Sequence, residues 1–319
     1  MSTETSPSSA ATLPPLALIA GPTASGKSDL AVELGLLSAR AGMPAVVINA
    51  DSAQVYSDLR ILSARPSPED MRGVPHRLYG TWRGENACSA ADWAAAAREE
   101  IAAAHEAGKL PILVGGTGLY IRTLLDGIAP VPAIEPGVRE AVRAMPGAEA
   151  HAALVREDPA RAAVLSPADT TRVLRALEVV RSTGRPLAEW QAEKVGGIAD
   201  AVDLRPLILL PDREWLYARC DIRFEAMLEA GAIEEVRALL ERGLDPALPV
   251  MRAIGVPEIA AFLAGRASWL ATIEAGQQAT RNYAKRQYTW LRHQPPADWP
   301  RFASENSITS DDLARLFQL

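Results

Sequence analysis

Four residues at fixed spacing could do chemistry first. Gly21, Gly26, Lys27 and Ser28 fit the pattern G-x-x-x-x-G-K-[ST] inside LALIAGPTASGKS, residues 16–28. Glycines let such a loop wind around clustered anionic oxygens, so that successive backbone N–H groups point inward. The helix that follows adds the positive end of its dipole. Lys27 supplies a point charge for a terminal phosphate, and Ser28 a hydroxyl for Mg2+. The loop therefore suits a di- or triphosphate and names neither the nucleotide nor the acceptor.

Other residues with chemical potential follow apolar runs. Asp51 ends the run AVVIN at 45–49 and leads Ser52, Ala53, Gln54, Val55 and Tyr56. In an open parallel sheet, ligands sit beyond the carboxyl ends of the strands, which puts Asp51 on the rim of the phosphate loop. An acid there can hold Mg2+, act as a general base or cap a helix, and position alone leaves all three open. LPILV at 110–114 runs into Gly115-Gly116-Thr117-Gly118, where backbone can approach a ligand closely and Thr117 offers a hydroxyl. An acid at this strand end would suit a motor or switch ATPase; the glycines argue against one. Arg219 and Arg223 are four apart, on one helix face, and either can aim at the phosphates. His76 reads as a structural, hydrogen-bonding histidine.

The elements that must position these residues are legible from periodicity. Leu16 to Ala20, AVVIN, LPILV and LRPLILL at 204–210 are short, continuous apolar runs, as expected of buried parallel strands. Helical spacing fills 29–40, the alanine-rich 91–107 behind a Ser89/Asp92 capping pair, 214–229 and 268–292. Residues 57–80 read as loop, and 138–194 as purely helical, with breaks at Pro146, Pro159, Pro167 and Gly184.

The chain of 319 residues carries a net charge of -6. That sum speaks against a nucleic-acid partner, but the distribution does not. No acid falls between Ala275 and Gln294, where Arg281, Lys285, Arg286 and Arg292 cluster, and eight arginines face six acids between Gly137 and Arg185. Two cysteines, Cys88 and Cys220, lack metal spacing and suggest a reduced, cytoplasmic protein. No apolar run approaches the roughly 18 residues a membrane span needs. The Ser/Thr/Pro-rich start reads as a disordered leader.

Taken together, GPTASGKS at 21–28, DSAQVY at 51–56, PHRL at 75–78, LVGGTGLY at 113–120, RALEV at 175–179, DREWLYARCDIRF at 212–224, RAIGVPE at 252–258 and RNYAKRQYTWLR at 281–292 resemble the bacterial tRNA dimethylallyltransferase (tRNA isopentenyltransferase) family. The resemblance covers about 16–293. It implies an α/β fold, a P-loop NTPase-like parallel sheet flanked by helices with a helical insertion domain. The implied organisation is a leader (1–15), a catalytic core (16–127 and 204–293), a helical tRNA-binding insertion (128–203) and a tail (294–319). The implied reaction moves a dimethylallyl group from its diphosphate to the exocyclic amine of the adenosine 3′ of the anticodon. Gly21, Pro22, Thr23, Ala24, Ser25, Gly26, Lys27 and Ser28 would cradle the diphosphate, with Mg2+ on Ser28. Asp51 would be the general base, and Thr117 and Arg223 would orient the diphosphate. Tracts implied to contact the tRNA anticodon stem-loop include Asp51, Ser52, Ala53, Gln54, Thr117 and Arg139. They continue with Thr171, Arg172, Val173, Leu174, Arg175, Arg252, Lys285, Arg286, Gln287 and Arg292. A cytoplasmic monomer without membrane contact is expected. This chain departs from the family at 57–66, where SDLRILSARP replaces a glycine-containing run and Arg65 stands for a lysine. The rival readings are a small-molecule or nucleotide kinase and a non-catalytic RNA-binding protein.

Overall fold

A computed structural model describes residues 13–304 and 307–319. Most of the expected leader therefore lies outside the described residues; its last residue, Pro15, opens a strand. The strands are β1 (Pro15–Ala20), β2 (Ala45–Asn49), β3 (His76–Arg77), β4 (Leu110–Gly115), β5 (Asp203–Leu209) and β6 (Arg301–Phe302). They form one sheet in the order β3-β2-β4-β1-β5-β6, with every pairing parallel. Leu16 to Ala20, all of β2 and all of β4 are buried, as strands covered on both faces must be. Ile19 pairs with Val114 on one side and Leu207 on the other, so the loops after β1 and β4 leave the sheet at the same edge.

The helices α1 (Lys27–Arg40), α2 (Pro68–Met71), α3 (Ala90–Glu106) and α4 (Gly118–Asp126) follow the first strands. Ser89 and Asp92 exchange hydrogen bonds at the start of α3: the serine hydroxyl accepts the Asp92 N–H at 3.1 Å and the carboxylate accepts the Ser89 N–H at 3.1 Å. Aspartate thus serves where glutamate is usual in a capping box. The span 57–80, expected as loop, contains α2 and β3.

By contact the chain divides into two compact units, 125–198 and the remainder. The smaller unit holds α5 (Pro136–Arg143), α6 (Gly147–Glu157), α7 (Pro159–Val164), α8 (Thr170–Thr183) and α9 (Leu187–Ala192) around Val142, Ala153, Leu154, Val173 and Leu177. It spans 125–198 where 128–203 was expected; Ala199–Ala201 form a short 3-10 turn and Asp203 already begins β5. The larger unit continues with α10 (Arg213–Met227), α11 (Ile233–Glu241), α12 (Val256–Leu263), α13 (Trp269–His293) and α14 (Ser310–Phe317). Between α10 and α11 the backbone widens into a π turn, Leu228–Ala232, with Gly231 at φ 106°. Residues 294–319, expected as a tail, extend the sheet through β6 and bury Leu313 and Phe317 in the core beside Leu30 and Leu34 of α1.

Candidate active site

The loop between β1 and α1 forms as its glycines require. Gly26 adopts φ 88°, a left-handed conformation, and precedes α1 without a side-chain cap. The N-terminus of α1 is thereby left to suit an anion. Ala24 is also left-handed, φ 63°. Gly21 N–H donates to the Gly115 carbonyl at 3.2 Å, which ties the loop to the turn after β4. Lys27 is 9 % exposed, and its ammonium donates to the Pro22 carbonyl at 3.1 Å. Burial pulls the Lys27 pKa down to about 8, against the opposing pull of Asp51.

Asp51 is 6 % exposed. Asn49 frames it: the Asn49 amide accepts the Asp51 N–H at 2.9 Å and donates to the Asp51 and Leu78 carbonyls at 3.0 Å each. Trp93 holds the Asn49 carbonyl through its indole N–H at 2.8 Å. One Asp51 oxygen, Oδ1, accepts the Ala53 N–H at 3.0 Å. That is an Asx turn, and no α-helix starts there, so the cap reading of Asp51 is set aside.

Lys27, Asp51 and Arg223 line one cavity of about 670 Å³, within the range of small-molecule sites. Arg223 lies on α10 and donates to the Thr23 hydroxyl at 3.4 Å, bridging to the phosphate loop. Burial lowers its pKa while Asp51 raises it. Arg219 lines the same cavity with its guanidinium 4.6 Å from the Trp215 ring. Ser28, Asp51, Ser52, Ala53 and Gln54 also face it, beside the apolar side chains of Leu59, Leu62, Phe224, Met227 and Ile254. Anionic, basic and apolar subsites thus share one space.

Several expected site residues stand elsewhere. Thr117 does not line the cavity; its hydroxyl accepts the Ser52 N–H at 2.9 Å and donates to the Ser52 hydroxyl at 3.2 Å. The Tyr283 hydroxyl joins this pair, and burial holds its pKa well above the ordinary phenol value. The glycines 115, 116 and 118 make room for protein, not ligand. A Cβ on Gly115 would strike the Ala50 carbonyl at 2.2 Å, and one on Gly118 the Trp290 ring at the same distance. Gln287, expected at the tRNA surface, is 5 % exposed, and its side-chain oxygen accepts the Thr23 N–H at 2.7 Å. It braces the phosphate loop from α13. Lys285, Arg286 and Arg292 lie on the exposed side of that helix, and Arg252 and Arg286 line the cavity. In the helical unit, Arg139, Thr171, Arg172 and Arg175 are exposed, Leu174 is half-buried, and Val173 belongs to the core. Arg172 pairs with Asp169, and Arg143 and Arg175 share the buried Glu178. Asn49 and the bracing role of Gln287 were missed from sequence; an asparagine closing an otherwise apolar strand was the one available signal.

His76 sits in β3 with Nδ1 2.8 Å from the Val74 carbonyl, and it does not line the cavity. Among the described residues no helix is long and apolar enough to cross a membrane, and no group of three or more His, Cys, Asp or Glu could hold a metal ion.

Known proteins resemble this chain in sequence and fold. A tRNA dimethylallyltransferase of Erythrobacter litoralis is 68% identical over 288 residues, covering 90% of this chain and 91% of its own. That of Novosphingobium aromaticivorans is 69% identical over 278 residues, covering 87% and 99%. Among solved structures, the full-length tRNA isopentenylpyrophosphate transferase of Bacillus halodurans superposes with TM-score 0.67 at 31% identity, covering 95% of this chain and 94% of that one. A eukaryotic dimethylallyltransferase acting on tRNA superposes with TM-score 0.74 at 29% identity, covering 87% and 70%. The family model described as IPP transferase matches residues 54–294, which takes in the Gln54 wall, Arg223 and the basic face of α13. The chain belongs to the IPP transferase family.

Proposed function

We propose that this chain transfers a dimethylallyl group from dimethylallyl diphosphate to the exocyclic amine of the adenosine 3′-adjacent to the anticodon in tRNA. The observation that carries this reading is the meeting of Asp51 with Lys27 and Arg223 in one cavity that also has an apolar wall. Prenyl transfer to an amine needs all three features: an anion cradle for the leaving diphosphate, an acceptor for the amine proton and an apolar surface for the prenyl group.

The steps follow from the residues. Backbone N–H groups of Ala24, Gly26, Lys27 and Ser28 hold the diphosphate, with Gly21, Pro22, Thr23 and Ser25 shaping the turn through their own backbone bonds. Lys27 and Arg223 offset the charge that grows on it as the allylic C–O bond breaks. The amine nitrogen attacks the freed carbon and forms the new C–N bond. Its proton passes to Asp51, on Oδ2, since Oδ1 is engaged by Ala53. Thr117 acts at one remove by fixing Ser52. The donor set fits a divalent cation, Mg2+ in this reading: oxygen ligands from Ser28 and the diphosphate suit a hard ion that keeps few protein ligands. Such an ion supplies Lewis-acid neutralisation of the leaving group. The base leaves its stack to enter the cavity, at low cost in a single-stranded loop. Arg139, Thr171, Arg172 and Arg175 of the helical unit, and Arg252, Lys285, Arg286 and Arg292 of the core, grip the anticodon stem-loop. In this reading the chain works as a monomer in the cytoplasm, where its tRNA substrate is.

The test is incubation with unmodified tRNA and radiolabelled dimethylallyl diphosphate in the absence of ATP. Label is expected in the tRNA; its absence overturns the reading.

A further inference from the structure

The loop 57–66, where this chain departs from its family, forms a wall of the cavity through Leu59, Leu62, Ser63 and Ala64. Its backbone N–H groups need partners, and the three in the middle find the same one. Glu235, in the first turn of α11, accepts the Arg60 N–H at 2.5 Å and the Ile61 N–H at 2.9 Å on Oε1, and the Leu62 N–H at 3.0 Å on Oε2. Seven residues on, along the same helical face, Arg242 pairs with Asp58 and with Glu85. The first helix turn and the far end of α11 thus fasten the loop at two points. The π turn before α11 sets where this helix begins.

The loop in turn holds Gln54. The Gln54 amide nitrogen donates to the Ser63 carbonyl at 3.0 Å and to the Ala64 carbonyl at 2.9 Å. Both of its N–H bonds are spent there, so Oε1 is what this amide has to offer a ligand, as an acceptor only. Gln54 is buried, lines the cavity and sits three residues from Asp51.

We propose that Glu235 is a positioning residue for the acceptor nucleoside: by holding the loop 60–62, it fixes Gln54 so that the cavity presents a hydrogen-bond acceptor to the incoming base. The inference rests on the tRNA-prenylation reading above. Glu235 does not line the cavity, so its loss acts on tRNA recognition through the loop and not on the diphosphate cradle.

The test is steady-state transfer by the full chain, varying an anticodon stem-loop RNA at saturating dimethylallyl diphosphate and then the reverse. Glu235→Ala is expected to raise KM for the RNA about tenfold and to leave KM for the diphosphate within about twofold. Gln54→Ala is expected to do the same, and the double variant to be no worse than the worse single one, because both act through one amide. Equal loss toward both substrates, an unchanged RNA KM, or additive effects in the double variant would overturn the proposal. Should the alanine variant not fold, the isosteric Glu235→Gln replaces it. That variant puts an NH2 against one backbone N–H and is expected to raise the RNA KM threefold or more; no rise overturns the proposal. Wild-type chain that transfers no label at all refutes the functional reading instead, so the two failures are distinct.

Discussion

Replacing Gln287 by methionine separates two roles that the sequence could not. The position belongs to the tract expected to contact tRNA, yet the side chain is 5 % exposed and its oxygen takes the Thr23 N–H at 2.7 Å. Methionine keeps the length and removes the acceptor. A buried donor left without a partner costs about 1–3 kcal/mol. Some of this is recovered, because the Gln287 nitrogen is itself buried without a partner and vanishes with the amide. The remaining cost falls on the phosphate loop, which must be ordered again when a diphosphate binds. At about 1.4 kcal/mol per decade, a remaining cost in the lower part of that range, about 1.4 kcal/mol, predicts an increase of roughly tenfold in Kd for inorganic diphosphate. Calorimetric titration of the folded variant reads this directly. Filter binding of tRNA across a salt series is expected to give wild-type affinity and an unchanged slope, since no phosphate contact is lost. Normal diphosphate binding with weakened tRNA binding would refute the brace and restore Gln287 to the RNA surface.

Further outcomes follow from the same geometry. Asp51→Asn keeps an acceptor for the Ala53 N–H but cannot take the amine proton; kcat is expected to fall by about 10²–10⁴ while tRNA binding in a gel-shift assay persists. Phe317→Ala empties a fully buried site in α14 and is expected to cost about 3–5 kcal/mol in denaturant unfolding, whereas a dispensable tail would show none. Burial pushes the Cys220 thiol up to about 11 from 9.0. Between those values the folded chain keeps a proton that the unfolded chain gives up, so this group subtracts stability as pH rises through that window. At pH 8 native Cys220 is expected to resist alkylation until the chain is unfolded, as followed by mass spectrometry; rapid native labelling would contradict its burial.

Local physics made much of the fold legible. The strands with continuous apolar runs, the phosphate loop and the Ser89 cap all depend on neighbours within a few residues, and each stands where its pattern puts it. The strands β3 and β6 are two residues long and carry no periodicity to read. Helix α14 offers only Leu313 and Phe317 as core residues, too short a stripe to distinguish from a frayed end. Asp51 was placed on the correct rim, but sequence left a helix cap open beside the chemical roles, because an Asx turn and a cap both set a carboxylate oxygen on a nearby N–H. The Gln287 brace and the Glu235 clamp span 264 and up to 175 positions of chain, and nothing in local spacing announces a partner that distant. Glycines 115, 116 and 118 were read as room for a ligand; the space is taken by Ala50, Gln287 and Trp290, which only the packed structure reveals.

The two shortest strands have a bearing on how the molecule behaves in a crowded solution. A parallel sheet ends in rows of unpaired amides and carbonyls, and a long flat border recruits further strands from other chains. Here both borders are two residues long, and each carries an arginine, Arg77 on one and Arg301 on the other. Arg301 folds back onto the carbonyls of Pro295, Pro296, Ala297 and Trp299, occupying acceptors next to its border. Such edges give an intruding strand little to register against. The guard against edge-to-edge pairing thus lies in the two elements that contribute least to the core.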